Sequence, residues 1–93
     1  MSARLIYHAK QYKADGSVEE VKIWKLSKPT KDKPHGYRYS LAYIVDGKRV
    51  LGYDNGEGKG DHKHMGNKQE DYRFTNIDKL FDDFYKDVRR FLK

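Results

Sequence analysis

"YRYSLAYIVDGKRVLGYD", residues 37–54, is the stretch on which the fold turns. Its first nine residues alternate, with Tyr37, Tyr39, Leu41, Tyr43 and Val45 on one side and Arg38, Ser40, Ala42 and Ile44 on the other. That is the period of two of a half-buried strand. Asp46-Gly47 follows, and Asp-Gly between β-rich runs is a strong hairpin signal because glycine takes positive φ without steric cost. "KRVLGYD" then returns as the next strand, with Val50 expected opposite Tyr43 and Leu51 opposite Ala42. Tyrosine packs well on a pleated surface, so Tyr37, Tyr39 and Tyr43 read as core or half-core before they read as platforms for stacking bases.

Upstream, "ARLIYHAKQYK" and "SVEEVKIWKL" flank Ala14-Asp15-Gly16, a second hairpin signal. A two-residue turn at Asp15-Gly16 would pair Tyr7 with Trp24 and Leu5 with Leu26, placing the large apolar residues on one face. "KPTKDKPHG", residues 28–36, has two prolines, three lysines and a glycine and reads as an exposed basic loop. Downstream, Ile77, Leu80, Phe81, Phe84, Val88, Phe91 and Leu92 recur at three- and four-residue spacing, the stripe of an amphipathic helix. Thr75 with Asp78 resembles a capping box with a shorter acid. Charges run from acidic (Asp78, Asp82, Asp83) to basic (Lys86, Arg89, Arg90, Lys93), which suits the helix dipole.

The expected fold is therefore α+β in a single domain, residues 1–93. It has one antiparallel sheet of four strands (about 3–13, 17–27, 37–46 and 48–54), or five with a short strand around "YRF". A C-terminal amphipathic helix over about 76–92 packs on one face, because a lone sheet of this size needs cover.

Composition narrows the function classes. A chain of 93 residues buries only about 60–65% of the surface it exposes when unfolded, so the core is small. Thirteen aromatics (eight Tyr, four Phe, one Trp) still argue for a packed domain over disorder. Without cysteine there is no disulfide, thiolate metal site or cysteine nucleophile, so any metal would need histidine and carboxylate ligands. The first ten residues hold no signal-peptide core and no window suits a membrane span, so a soluble cytoplasmic protein without membrane association is the default expectation. Net charge is +6, and the excess lies in residues 1–53, with 11 Lys and Arg against 5 Asp and Glu. An anionic partner such as RNA, DNA or an acidic protein surface fits that balance.

Chemistry concentrates in residues 55–71, read as a functional loop between the last strand and the helix. The glycines of "NGEGKG" allow tight turns but match neither common nucleotide-binding glycine pattern. His62 and His64 are two apart, so in an extended segment they point the same way, and histidine suits proton transfer near neutral pH. With Lys59, Asp61, Lys63, Tyr72 and Arg73 nearby, these are side chains that a metal-independent ribonuclease needs: a base for the 2′-hydroxyl, an acid for the leaving 5′-oxygen, and cations for the phosphate. The same H-x-H could instead ligate a metal with Asp54, Asp61 or Glu70, although Lys59 and Lys63 would oppose it, and solvated surface histidines are the bland reading. His8 and His35 read as structural or solvated.

"HGYRYSLAYIVDGKRVLGYDNGEGKGDHKHMGNKQEDYRF" resembles the signature of the TumE family, small toxin components of prokaryotic toxin–antitoxin modules; its most specific part is "YDNGEGKGDHKH" followed by "YRF". Tyr53, Asp54, Asn55, Gly58, Lys59, Gly60, Asp61, His62, His64, Tyr72, Arg73 and Phe74 match the pattern, and Lys63 stands where arginine is common. The resemblance implies a cognate helix-turn-helix antitoxin and a grouping with compact toxins of the RelE and ParE kind, some of which cut mRNA. Together with the residues, it leads to an expected toxin that cleaves RNA, free or ribosome-associated, without cofactor or metal. His62, His64, Asp61 and Tyr72 are its candidate catalytic residues, and Lys59, Lys63, Arg73 and Tyr53 would bind phosphate or base. A non-enzymatic inhibitor that binds nucleic acid or protein, or a histidine/carboxylate metal hydrolase, are the alternatives. Oligomeric state is not legible.

Overall fold

The structure, a computed structural model, describes residues 3–56, 58 and 60–91. The chain runs β1 (Ala3–Tyr12), β2 (Val18–Leu26), β3 (Tyr37–Val45), β4 (Lys48–Asp54), β5 (His62–Met65), β6 (Lys68–Asp71) and α1 (Ile77–Arg90). All six strands form one antiparallel sheet in chain order, a meander with β1 and β6 at its edges.

The fold class is as expected, but the sheet has six strands, not four or five. Both additional strands, β5 and β6, lie inside the stretch read as a loop over 55–71, and "YRF" follows them without joining the sheet. They are joined at Gly66-Asn67, with Gly66 at φ 60. The two strands were missed because "HKHM" and "KQED" carry almost no apolar residues to show alternation.

The central hairpin forms as expected, with Asp46 and Gly47 both at positive φ (53 and 76), the twist that a two-residue turn requires. A bulge between Tyr43 and Ile44 shifts the register, so Tyr43 faces Leu51 and Ala42 faces Gly52, one residue from expectation. The first hairpin differs more. Its turn spans Lys13–Ser17, closed by Lys13 N–H on Ser17 O (2.9 Å) and by Ser17 N–H and Oγ–H on Asp15 Oδ1 (2.9 and 2.6 Å). A second bulge between Leu5 and Tyr7 then sets Leu5 opposite Trp24 and Tyr7 opposite Ile23, so Leu5 and Tyr7 lie on opposite faces. On the helix side, Tyr7 meets Phe81 at 5.6 Å between ring centroids.

The helix covers one face, as the stripe predicts. Leu80, Phe84 and Val88 pack with Val21 and Ile23 of β2, Tyr39, Leu41 and Tyr43 of β3, and Leu51 and Tyr53 of β4. Asn76 is the N-cap, its side chain accepting from Lys79 N–H at 2.8 Å, in place of the box expected at Thr75. Leu92 of the stripe lies outside the described residues. No helix among the described residues is long and apolar enough to cross a membrane.

Candidate active site

The sheet has two unlike faces, and strand parity distributes the chemistry between them. On β4 and β5, Asp54 pairs with His62 and Gly52 with His64, so these positions share the face that the helix does not cover. His62 and His64 do converge, their rings meeting edge to face at 4.8 Å. Asp54 sits between them: Oδ1 lies 2.8 Å from His62 Nε2, and Oδ2 lies 3.7 Å from His64 Nε2. His62 is almost wholly buried, and its Nδ1 stands 3.1 Å from Gly60 O. Since a carbonyl only accepts, Nδ1 carries the proton. His64 is partly exposed, at 19% of its side chain, and forms part of a cleft wall.

That cleft, of about 560 Å³, is lined by Arg38, Ser40, Arg49, Asp54, His64 and Gln69 among others. Two glycines make room for its arginines. A Cβ on Gly52 would lie 3.1 Å from Arg49 Cδ, and one on Gly56 would lie 3.3 Å from Arg38 Nε, so each guanidinium lies across a bare backbone. Arg38 also stacks on Trp24, 4.8 Å from guanidinium carbon to ring centre. Arg49 Nη1 reaches Asp54 Oδ2 at 3.6 Å. The cleft thus places an imidazole, a carboxylate and two guanidinium groups around one solvent-open volume, with a second imidazole beneath.

The other candidates named from sequence lie elsewhere. Asp61 holds together the start of β5 and the end of the β2–β3 connection: it accepts from Tyr39 OH (2.8 Å) and Asn55 Nδ2 (3.1 Å) and meets His35 Nε2 (3.0 Å). His35 Nδ1 accepts from Tyr37 N–H at 3.1 Å, which leaves Nε2 to donate to Asp61, while the Phe74 ring lies 4.0 Å away between centroids, tilted by 35°. Asn55, fully buried, also bridges Tyr39 N–H and Tyr37 O. Burial, then the Asp61 carboxylate, pushes the Tyr39 hydroxyl well above the usual tyrosine range.

Tyr53, Lys63 and Tyr72 face the helix. Tyr53 OH donates to Asp87 Oδ2, Lys63 Nζ lies 3.3 Å from the same oxygen, and Tyr72 OH donates to Asp83 Oδ2 at 2.6 Å. Burial first, and then their carboxylate partners, hold both tyrosine hydroxyls far above their ordinary value, so they remain donors at neutral pH. Arg73 is exposed between β6 and α1, and Lys59 lies outside the described residues. Arg38, Arg49, Ser40 and Gln69 were not singled out from sequence, although the polar side of the β3 alternation already carried Arg38 and Ser40. His8 forms a surface pair with Glu20 at 3.0 Å.

No curated protein and no solved structure matched the chain. The model of one family, described as Toxin TumE, matches residues 2–92, essentially the whole length, and the chain accordingly belongs to the TumE toxin family, whose members act in toxin–antitoxin modules and so imply an antitoxin partner.

Proposed function

We propose that this toxin cleaves RNA in the open-face cleft by proton transfer through His62 and His64. The observation that carries this reading is the convergence of both imidazoles, Asp54 and the two arginines on one face. One imidazole takes the proton of a 2′-hydroxyl, and the resulting oxygen attacks the adjacent phosphorus. The other imidazole gives a proton to the departing 5′-oxygen, leaving a 2′,3′-cyclic phosphate and a 5′-hydroxyl end. Asp54 orients the pair, and Arg38 and Arg49 offer forked donors to the phosphate oxygens as charge builds there. Arg73, exposed after β6, is a candidate cation for the strand.

In this reading Asp61 is a positioning residue that holds the start of β5, and Tyr53, Tyr72 and Lys63 serve helix docking. The antitoxin is of the helix-turn-helix kind that the family resemblance implies, and it silences the toxin by binding it.

The test is cleavage of a labelled RNA in EDTA by the wild type and by His64→Ala. Because a positioned acid or base contributes typically ~10²–10⁴-fold, the variant should lose that much rate with an unchanged melting temperature. Equal cleavage by both proteins would overturn the assignment. RNA binding that falls steeply with salt, with no cleavage by either, would make this an inhibitor acting by occupancy.

A further inference from the structure

Asp54, His62 and His64 have a second capacity that proton transfer does not use. Their donor atoms lie within 4.8 Å of one another, two imidazole nitrogens and one carboxylate oxygen, on adjacent positions of two paired strands. Asp54 Oδ1 is buried and accepts no hydrogen bond among the described residues. His62 Nε2 lies 2.8 Å away, and because Nδ1 donates to Gly60 O, Nε2 is the ring nitrogen that a cation beside Asp54 would take.

The surroundings match what a metal-bound histidine needs. Ligating histidines usually donate their other ring N–H to a carbonyl or carboxylate, which fixes tautomer and ring orientation, and Gly60 O does this for His62. Metal bonds of about 2.0–2.1 Å at tetrahedral angles put donor atoms roughly 3.3 Å apart. Asp54 Oδ1 and His62 Nε2, at 2.8 Å, stand closer than that, His64 Nε2 lies 3.7 Å from the other carboxylate oxygen, Oδ2, and the three donor atoms stay within 4.8 Å, so a metal would draw them to its own spacing. Arg49 approaches Oδ2 at 3.6 Å and leaves Oδ1 to the metal. Two imidazoles with one carboxylate select a borderline transition metal over magnesium or calcium, which require mainly oxygen ligands.

We propose that Asp54 Oδ1, His62 Nε2 and His64 Nε2 form a three-ligand site for a divalent transition metal of the zinc type, and that its occupancy shuts the acid–base cleft. A nitrogen lone pair committed to a metal can neither take nor give a proton, so both histidines leave the reaction together. The shut-off half rests on the reading of the cleft given above, whereas the site itself does not.

The experiment starts from full-length protein stripped with EDTA and then dialysed. It is titrated with Zn(II) by calorimetry, with Co(II) by visible absorption, and with Mg(II) as the control. One equivalent of Zn(II) should bind, Co(II) should show the absorption of a low-symmetry nitrogen/oxygen site, and Mg(II) should give no heat. His64→Ala, whose melting temperature without metal should match the wild type, should weaken Zn(II) by more than the ~10–100-fold that loss of a supporting partner costs. His8→Ala should bind as the wild type does.

No binding, or binding that His64→Ala and Asp54→Asn leave intact, overturns the site. The RNA assay separates the two halves. Cleavage in EDTA that one equivalent of Zn(II) abolishes supports both; a protein inactive in EDTA and activated by Zn(II) keeps the site, overturns the shut-off and removes metal-free chemistry.

Discussion

The two faces of the sheet solve opposite problems with similar residues. The helix side carries Tyr53, Lys63 and Tyr72, each tied to a carboxylate of α1 and so joining helix to sheet. The open side carries His62, His64, Asp54, Arg38 and Arg49 around a cleft, with glycines at 52 and 56 where side chains would fill it. On one side lysine and tyrosine close a structure, and on the other arginine and histidine leave one open. A charged residue is therefore informative about function only once the face it belongs to is known.

The sharpest way to break this comparison is to remove the cover. Phe84 is fully buried between helix and sheet. Phe84→Ala should cost about 3–5 kcal/mol, a large part of the stability of so small a domain, read as a lower urea midpoint. An unchanged midpoint would mean that the helix is not what holds the sheet.

Exchanging a cation on each face sharpens the contrast. Lys63→Met leaves Asp87 with Tyr53 and Arg90, so the loss should be about 1–3 kcal/mol, below the cost of opening an isolated buried pair. Its RNA affinity should not move. Arg38→Met should leave stability within about 1 kcal/mol, since it forfeits a surface stack on Trp24. The slope of log affinity against log salt should fall by about 1, as for one lost phosphate contact. The opposite pattern would exchange the roles of the two faces.

The smallest effect concerns pH. Burial alone would raise the Asp83 carboxyl, but the Tyr72 hydroxyl and the Lys79 ammonium outweigh it and hold the group below its usual value. A lowered carboxylate stabilises the fold above its unfolded value of about 4, and that contribution fades as pH falls through the folded value. Tyr72→Phe should thus cost about 1 kcal/mol at neutral pH, and the gap from wild type should narrow below about pH 4. A gap independent of pH would show that Tyr72 acts through packing alone.

Much of this was legible in residue order. The β3 alternation fixed which tyrosines enter the core, Asp46-Gly47 marked the hairpin, and the stripe from Ile77 marked the helix, because each signal lies within a few residues. The convergence of His62 and His64 was legible for the same reason, since period-two parity is local. Less legible was the strand that carries them: Gly66-Asn67 is a turn signal, but its flanking residues are polar on both faces and show no apolar alternation.

What the tertiary structure alone decided is which residues stand beside those histidines. Asp61 is their neighbour in the chain but bonds to Tyr39, Asn55 and His35, whereas Asp54 reaches His62 through the β4–β5 pairing. Arg49 and Gly52 are three apart, so simple alternation would put them on opposite faces. The bulge in β4 opposite Tyr43 and Ile44 shifts the count by one and brings Arg49 over Gly52 into the cleft. Alternation is set by each residue's own backbone, and the sequence carries it. Cross-strand neighbours depend on register, which turns, bulges and the packing of a distant helix set together.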